Sequence, residues 1–471
     1  MPRDLLDQLT AIAGEKPAAR EEVTFEGADP VFPTAFRFGE AGAAIIGASG
    51  LLAARIWQDR TGEAQHVLVP VEHAAAAMGS GRYTKVEPIE GLPPLDVVWN
   101  KRGNVGLGAF TTRDGRYVYL QREFEYHRKR QEDVLQCEDE RESMAAAIAQ
   151  WKGQALEDAI VAAGACAGLV HSEEEWAEHP QGKALAKLPL FEITKIGDSA
   201  PEGFGPDPER PLSGVRVLDL TRVLAGPTAA RTLAEHGAEV LRVGSKHLVD
   251  ERMQAIDTGH GKRAAHLDLN TPAEMAKLHE LLSGADVFSQ AFRPGSLANK
   301  GLAPEDVAKI RPGIIYVTLS AFGHEGPWST RRGFDSIVQN VSGIALANGK
   351  DGQPRATPNP LDYGTGYLAA FGVMAALRRR AREGGSYLVR VSLAQTGTWM
   401  KSLSRLDASQ YEGLAPMLTG DRLAKWMTSY DGPLGRVSHL KPVAQMSKTS
   451  STWELPAVPI GYNEPEWQAS T

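Results

Sequence analysis

SGVRVLDLTRVLAGPTAARTLAEHGAEVLRV, residues 213–243, reads as strand, turn, helix and strand in one pass. VRVLDL is a short apolar run of the kind that forms a buried strand. Pro227 suits a first helical turn, where a missing N–H leaves no bond unmade, and Gly237 stops the helix. AEVLRV is the next strand. The alternation continues through a helix at 272–283, a strand in ADVFSQAF, a helix near 304–309 and a strand in GIIYVTLSAF. Strands that alternate with helices pair in parallel. The expected fold class is therefore α/β, a Rossmann-like parallel sheet with helices on both faces.

Outward from this unit, the polar stretch GDSAPEGFGPDPERPLSG (197–214) marks a boundary. Before it, GRYVYLQREF (115–124) reads as a strand, and residues 140–170 read as two helices and a return strand. The N-terminal MPRDLLDQLTAIAGEK mixes acids with apolar residues, as an amphipathic helix does and a signal peptide does not. The last residues, from MSKTSSTWELP onward, are polar and broken by prolines, and read as an extended tail wrapping another surface.

A repeat spans the boundary. Residues 38–74 overlay residues 360–396 without gaps, placing Gly42 on Gly364, Ala48 on Ala370, Gly50 on Gly372 and Gly62 on Gly384. Each unit reads as helix, basic turn with glycine, and alternating strand. Two alanine-rich units can look alike through composition, but the kept register favours internal duplication. In this overlay Glu40 meets Asp362.

The chain has 471 residues, enough for two or three domains, and a net charge of −7 with acids and bases mixed. A nucleic-acid partner is not expected, because that needs a basic surface. Cys137 and Cys166 are the only cysteines and have no metal-like spacing, so neither a disulfide framework nor a metal site is expected. AGAAIIGASGLLAA (41–54) is too short to span a bilayer, and a soluble, cytoplasmic protein is the expectation. The turn TRVLAGP lacks the G-x-G-x-x-G spacing and GHGKR (259–263) is no P-loop, which argues against nicotinamide and ATP chemistry.

One acid stands out. In NPLDYGTGYLAAF (359–371), Asp362 sits between a proline and two glycines, at the start of a helix-like run. It can be an N-cap, or a reacting group that Gly364 and Gly366 leave room to approach. A helix N-terminus would favour its ionised form.

The stretches LSGVRVLDLTRVLAGP, GKRAAHLDLNTPAE, ADVFSQAFRPGSLANKGL, RRGFDSIVQNVSG and LDYGTGYLAAF together resemble the class III CoA-transferases. That family holds formyl-CoA and carnitine CoA-transferases and the α-methylacyl-CoA racemases. The motifs run in family order across residues 212–400, and the N-terminal block resembles the later part of the family's chain. The arrangement thus looks fused and permuted. Residues 1–200 are expected to form a degenerate second-half copy with a smaller α+β domain. Residues 210–400 would form the CoA-binding domain, and 401–471 the wrapping tail.

The resemblance implies an acyl-CoA and a carboxylic acid as substrates, no tightly bound cofactor or metal, and an interlocked homodimer. It implies that Asp362 attacks the thioester to give an anhydride and then an aspartyl-CoA thioester. It places Val223, Leu224, Ala225, Leu267, Asn270, Phe292, Arg293 and Asn299 at CoA-contacting positions. Lys262 and Arg263 would serve phosphates or lie as solvated loop charges, and Gly364 and Gly366 would line the approach. Family members often carry glutamine where Leu224 stands, so an acyl-oxygen contact is missing. The racemases have a histidine before the aspartate of the segment matching RGFDSI, and Phe334 stands there. Phenylalanine cannot take a proton, which sets a racemase behind a transferase. A non-catalytic CoA-binding subunit is the other alternative. His324 reads as a loop histidine.

Overall fold

The computed structural model describes residues 1–89, 106–248 and 252–468. Its largest sheet has seven strands: β1 (Phe191–Gly197), β2 (Arg216–Asp219), β3 (Glu239–Gly244), β4 (Lys262–His266), β5 (Val287–Gln290), β6 (Ile315–Ser320) and β7 (Ser386–Ser392). Their order is β4-β3-β2-β5-β6-β7-β1. Every pair is parallel except β7 with β1, which is antiparallel. From β2 onward this is the doubly wound order, and the winding reverses between β2 and β5. A crevice forms at such a reversal, outside the carboxyl ends of the strands.

Alternate strand residues feed different apolar layers. Val217, Ile315 and Val317 join the larger core, whereas Leu218, Phe288 and Tyr316 join a second cluster with Leu278, Leu281 and Val307. Both faces of the sheet are therefore covered by helices, as the sequence pattern requires.

Five helices position the site: α1 (Phe38–Thr61), α2 (Glu125–Leu135), α3 (Ala225–Glu235), α4 (Asp335–Val341) and α5 (Pro360–Glu383). Helix α5 is buried from Pro360 through Leu377 and packs against α1 and α3. A helix buried all round shows almost no amphipathic stripe, and the apolar and small residues from Gly364 to Leu377 are spread over all its faces.

The two blocks of the sequence interleave. β1 comes from the first block yet closes the edge of the large sheet, and α1 packs on α5. Within the first block, a smaller α+β unit pairs Gly108–Thr111, Tyr117–Leu120 and Ala167–Leu169 in an antiparallel sheet. Its own apolar cluster joins Val118, Leu120, Met144, Leu156 and Ile160.

The tail expectation needs correction. Met427–Gly432 and Gly435–Leu440 form a hairpin that pairs with Lys85–Glu87, because Gly435 at φ 109° makes the tight return that a Cβ would strain. Wrapping begins only afterwards. There Trp453 donates its indole N–H to the Arg231 carbonyl (3.0 Å) and Trp467 donates to that of Leu281 (3.0 Å). Strand β4 is unanticipated: GKRAAH, whose Lys262 and Arg263 were expected to serve phosphates or lie as loop charges, pairs with β3.

The overlaid units pack alike at matched points. A Cβ on Gly42 would meet Met78 and one on Gly364 would meet Met400, which lies at the same offset four residues beyond the overlaid units. Gly50 faces Val67, and Gly372 faces the matched Val389. The strands differ in destination: Val67–Pro70 joins a three-stranded sheet, whereas β7 lies in the large one.

Candidate active site

A cavity of about 470 Å³ opens where the sheet reverses. Leu220 and Arg222 to Gly226 line it from the end of β2, Ala291 to Pro294 from the end of β5, and Leu319 to Ala321 from the end of β6. Asp362, on the first turn of α5, faces the same cavity and is 6% exposed.

Asp362 is not the cap of its helix. Asp335, at the start of α4, accepts hydrogen bonds from the backbone N–H groups of Leu361 (2.7 Å) and Asp362 (2.9 Å). The other oxygen of Asp335 accepts from the Gln339 side chain, which also bonds Thr357 on both sides of its peptide. Asp335 is thus fully engaged and buried at 1% exposure. The carboxyl of Asp362 is left for the cavity, with the Asn359 side chain as its hydrogen-bond partner.

This arrangement corrects the expectation that the helix end would hold Asp362 ionised. Burial, and then the nearby Asp335 carboxyl, push Asp362 well above the ordinary carboxylate range. Burial likewise pushes Asp335 up to about 6, against the pull of its hydrogen bonds. The N–H groups expected to stabilise Asp362 are spent on its neighbour.

The turn before α3 carries the other conspicuous feature. Val223 has φ 69°, a left-handed conformation that a β-branched residue rarely adopts. It delivers Val223, Leu224 and Ala225 to the cavity wall, although Leu224 is almost fully buried. The first-turn N–H groups of α3 have no intrahelical acceptors and no side-chain cap at Leu224. Phe292 and Arg293 also reach the wall.

The remaining expected contacts lie elsewhere. Lys262 is buried, with its ammonium bonded to Asp219 (3.0 Å) and to the Pro227 carbonyl (2.7 Å). Burial lowers it to about 8, and its role is to tie β4 to β2 and α3 rather than to meet phosphate. Arg263 donates to the Glu466 carbonyl (2.6 Å) under the tail. Leu267 belongs to the second apolar cluster. Asn270 is exposed and closes a turn on Asp268, and Asn299 sits on an exposed 3-10 turn. None of the five lines the cavity; Lys262 and Arg263 lie on strand β4, whereas Leu267, Asn270 and Asn299 follow it in the chain.

Gly364 and Gly366 serve helix packing instead of ligand approach. A Cβ on Gly364 would strike Met400 at 2.7 Å, and one on Gly366 would lie 2.4 Å from the Ala225 carbonyl. The second contact lets α5 touch the cavity-lining turn before α3. Gly366→Ala is therefore expected to cost about 1–3 kcal/mol by overpacking and to lower turnover by displacing that turn. Thermal unfolding and exchange rates measured together check this.

Nothing in the sequence marks the opposite wall. Tyr126, His127 and Arg130 from α2, with Arg331, Arg332 and Phe334 before α4, complete the cavity. The run EFEYHRKR looks like any solvated charged helix face. His127 nevertheless is 1% exposed and meets the Phe334 ring edge-on at 5.8 Å. Burial, then Arg332 and Arg130, lower its imidazole to about 4. His324, by contrast, lies in a loop near Glu192, off this wall.

Residues 212–431 match the family described as CoA-transferase family III. Relatives of the chain include the acetyl-coenzyme A transferase nodX of Hypoxylon pulicicidum, 34% identical over 52% of this chain and 44% of that protein. Another is the succinyl-CoA:glutarate CoA-transferase of Mus musculus, 34% identical over 48% of this chain and 53% of that protein. The chain spans about half the length of the curated relatives it matches. Among solved structures, Rv3272 of M. tuberculosis is 32% identical, with a TM-score of 0.39, over 42% of this chain and 58% of that chain. The matched region contains β2 to β7 and Asp362, whereas the wall made by α2 precedes it. No helix among the described residues is long and apolar enough to cross a membrane.

Proposed function

We propose that the protein moves CoA from an acyl-CoA to a carboxylic acid through covalent intermediates on Asp362. One observation carries this reading: Asp362 faces the cavity at the sheet reversal, while Asp335 beside it is committed to the α5 backbone. An Asp362 oxygen adds to the thioester carbonyl, the C–S bond breaks, and CoA leaves as thiolate. The thiolate then attacks the aspartyl carbonyl of the anhydride and releases the donor's carboxylate. The acceptor carboxylate adds to the aspartyl thioester and displaces CoA thiolate, giving a second anhydride. Attack of the thiolate on the acceptor's acyl carbon restores Asp362 and yields the new thioester.

Splitting the exchange in this way replaces one difficult step with easier ones. A carboxylate with a raised pKa is also the stronger nucleophile once ionised. The turn before α3 supplies backbone N–H groups for the oxyanion at each tetrahedral stage, which the Leu224 side chain cannot do. The matched glycine packings of the two helix–strand units support reading the N-terminal unit as a duplicate that now contributes walls rather than a second nucleophile. Incubation with an acyl-CoA followed by hydroxylamine should mark Asp362 and no other carboxylate; a protein left unmarked would sink the reading.

His127 favours a second reading. It returns an imidazole to the wall where Phe334 removes one, so an acyl-CoA isomerase comes next in rank. An imidazole lowered to about 4 is a weak base for a carbon acid. No deuterium should therefore enter the α-carbon of a 2-methylacyl-CoA in heavy water, and rapid incorporation would establish the isomerase instead.

A further inference from the structure

Asp257 ends the helix Arg252–Asp257, is 1% exposed and does not line the cavity. Three segments distant in sequence meet on its carboxylate. Tyr363, the residue after Asp362, donates its hydroxyl to Oδ2 at 3.0 Å. Arg231, on α3, is ion-paired to the same oxygen at 3.1 Å and donates to the Asp257 backbone carbonyl at 2.8 Å. From the N-terminal block, Ser80 donates to Oδ2 at 2.7 Å and Thr84 donates to Oδ1 at 3.1 Å. The Gly81 N–H donates to the Tyr363 hydroxyl at 2.9 Å, so that oxygen both gives and receives. Trp453 of the tail covers Arg231, its ring centroid 5.2 Å from the guanidinium carbon.

A buried ion pair is a poor source of stability, because desolvation offsets much of its attraction. A fully bonded polar network does fix one arrangement of the elements it joins. Here those elements carry the reacting groups. Tyr363 belongs to the first turn of α5, which presents Asp362 to the cavity. Arg231 belongs to α3, whose first turn offers uncapped N–H groups at the cavity wall. Asp257 bonds to both, and so sets the spacing between the acid and the donors.

We propose that Asp257, braced by Ser80 and Thr84, is a positioning residue for the transfer reaction. Through Tyr363 and Arg231 it holds the Asp362 carboxyl at the distance from the α3 turn that the tetrahedral stages need. Ser80 and Thr84 lie outside residues 212–431, so the N-terminal block takes part in turnover without touching substrate. The inference rests on the CoA-transfer reading. Misplacement near 1 Å costs on the order of a hundredfold in rate. A spacing that matters only in the transition state should appear in kcat and kcat/KM together, with KM and CoA affinity unchanged.

Tyr363→Phe keeps the ring and removes the hydroxyl that reaches Asp257. With acetyl-CoA, butyryl-CoA and succinyl-CoA as probes, it should slow hydroxylamine marking of Asp362 roughly ten- to hundredfold, with the final extent unchanged. Asp257→Asn should slow marking at least as much. Tyr387→Phe is the control. Its hydroxyl donates to the Gly384 carbonyl (3.0 Å) at the other end of α5, so its loss should lower the melting temperature but not the marking rate. Marking at the parent's rate in Tyr363→Phe, or in a folded Asp257→Asn, would overturn the inference. So would an equally slowed Tyr387→Phe, because marking would then follow stability alone. A parent that no probe marks would remove the transfer reading and this inference with it, whereas the other two outcomes leave that reading standing.

Discussion

Asp362→Asn is expected to abolish exchange of label between an acyl-CoA and its free acid, with a loss of roughly a thousandfold or more. The amide fits the same space and keeps the Asn359 contact within reach, so the fold should stand. Glu40→Gln is the control. Glu40 is buried beside Arg37, to which it is ion-paired at 2.8 Å, and it does not line the cavity. Its variant should retain exchange and hydroxylamine marking. A Glu40→Gln protein as inactive as Asp362→Asn would show that both carboxylates react.

The same Asp362 variant should be more stable than the parent near neutral pH. A carboxyl whose folded pKa is raised contributes fully below its unfolded value and loses that contribution as pH climbs through the folded value. For Asp335 that window runs from 3.8 to about 6. The buried acid pair therefore costs stability at about pH 8 and costs little at about pH 4. Melting temperatures of parent and variant should separate at the higher pH and converge at the lower one.

Asp335→Asn should move the reaction's pH dependence. In the parent, the rate of Asp362 attack should rise with pH across a limb above the usual carboxylate range, because burial and Asp335 both favour the proton on Asp362. Asparagine keeps an oxygen for the Leu361 and Asp362 N–H groups but removes the neighbouring charge, so the limb should shift to lower pH. Asp335→Ala also removes the acceptor and should cost about 1–3 kcal/mol through unmet buried donors. An unchanged limb in Asp335→Asn would mean that the two acids do not sense each other.

Much of the architecture was legible because βα alternation is a local signal. Pro227, Gly237 and the apolar runs on either side set the strand–helix–strand unit, and the helix at 272–283 was placed at its observed bounds. Asp362 was legible through its motif, and Val223 to Ala225 through their place after the first strand. Lys262 failed for a physical reason. A basic loop and a strand with a buried lysine look the same until Asp219 and the Pro227 carbonyl are seen to receive the ammonium.

The sequence by itself determined the doubly wound sheet and the acid at the head of the central helix, since both follow from periodicity and neighbours in the chain. Only the tertiary structure decided how that acid behaves. Asp335, distant in sequence, takes the helix N–H groups and leaves Asp362 buried, protonated more readily and facing the cavity. Only the tertiary structure, too, brings α2 across to Phe334 and Arg332, because packing between distant segments leaves no local pattern in a charged helix such as EYHRKRQEDVL.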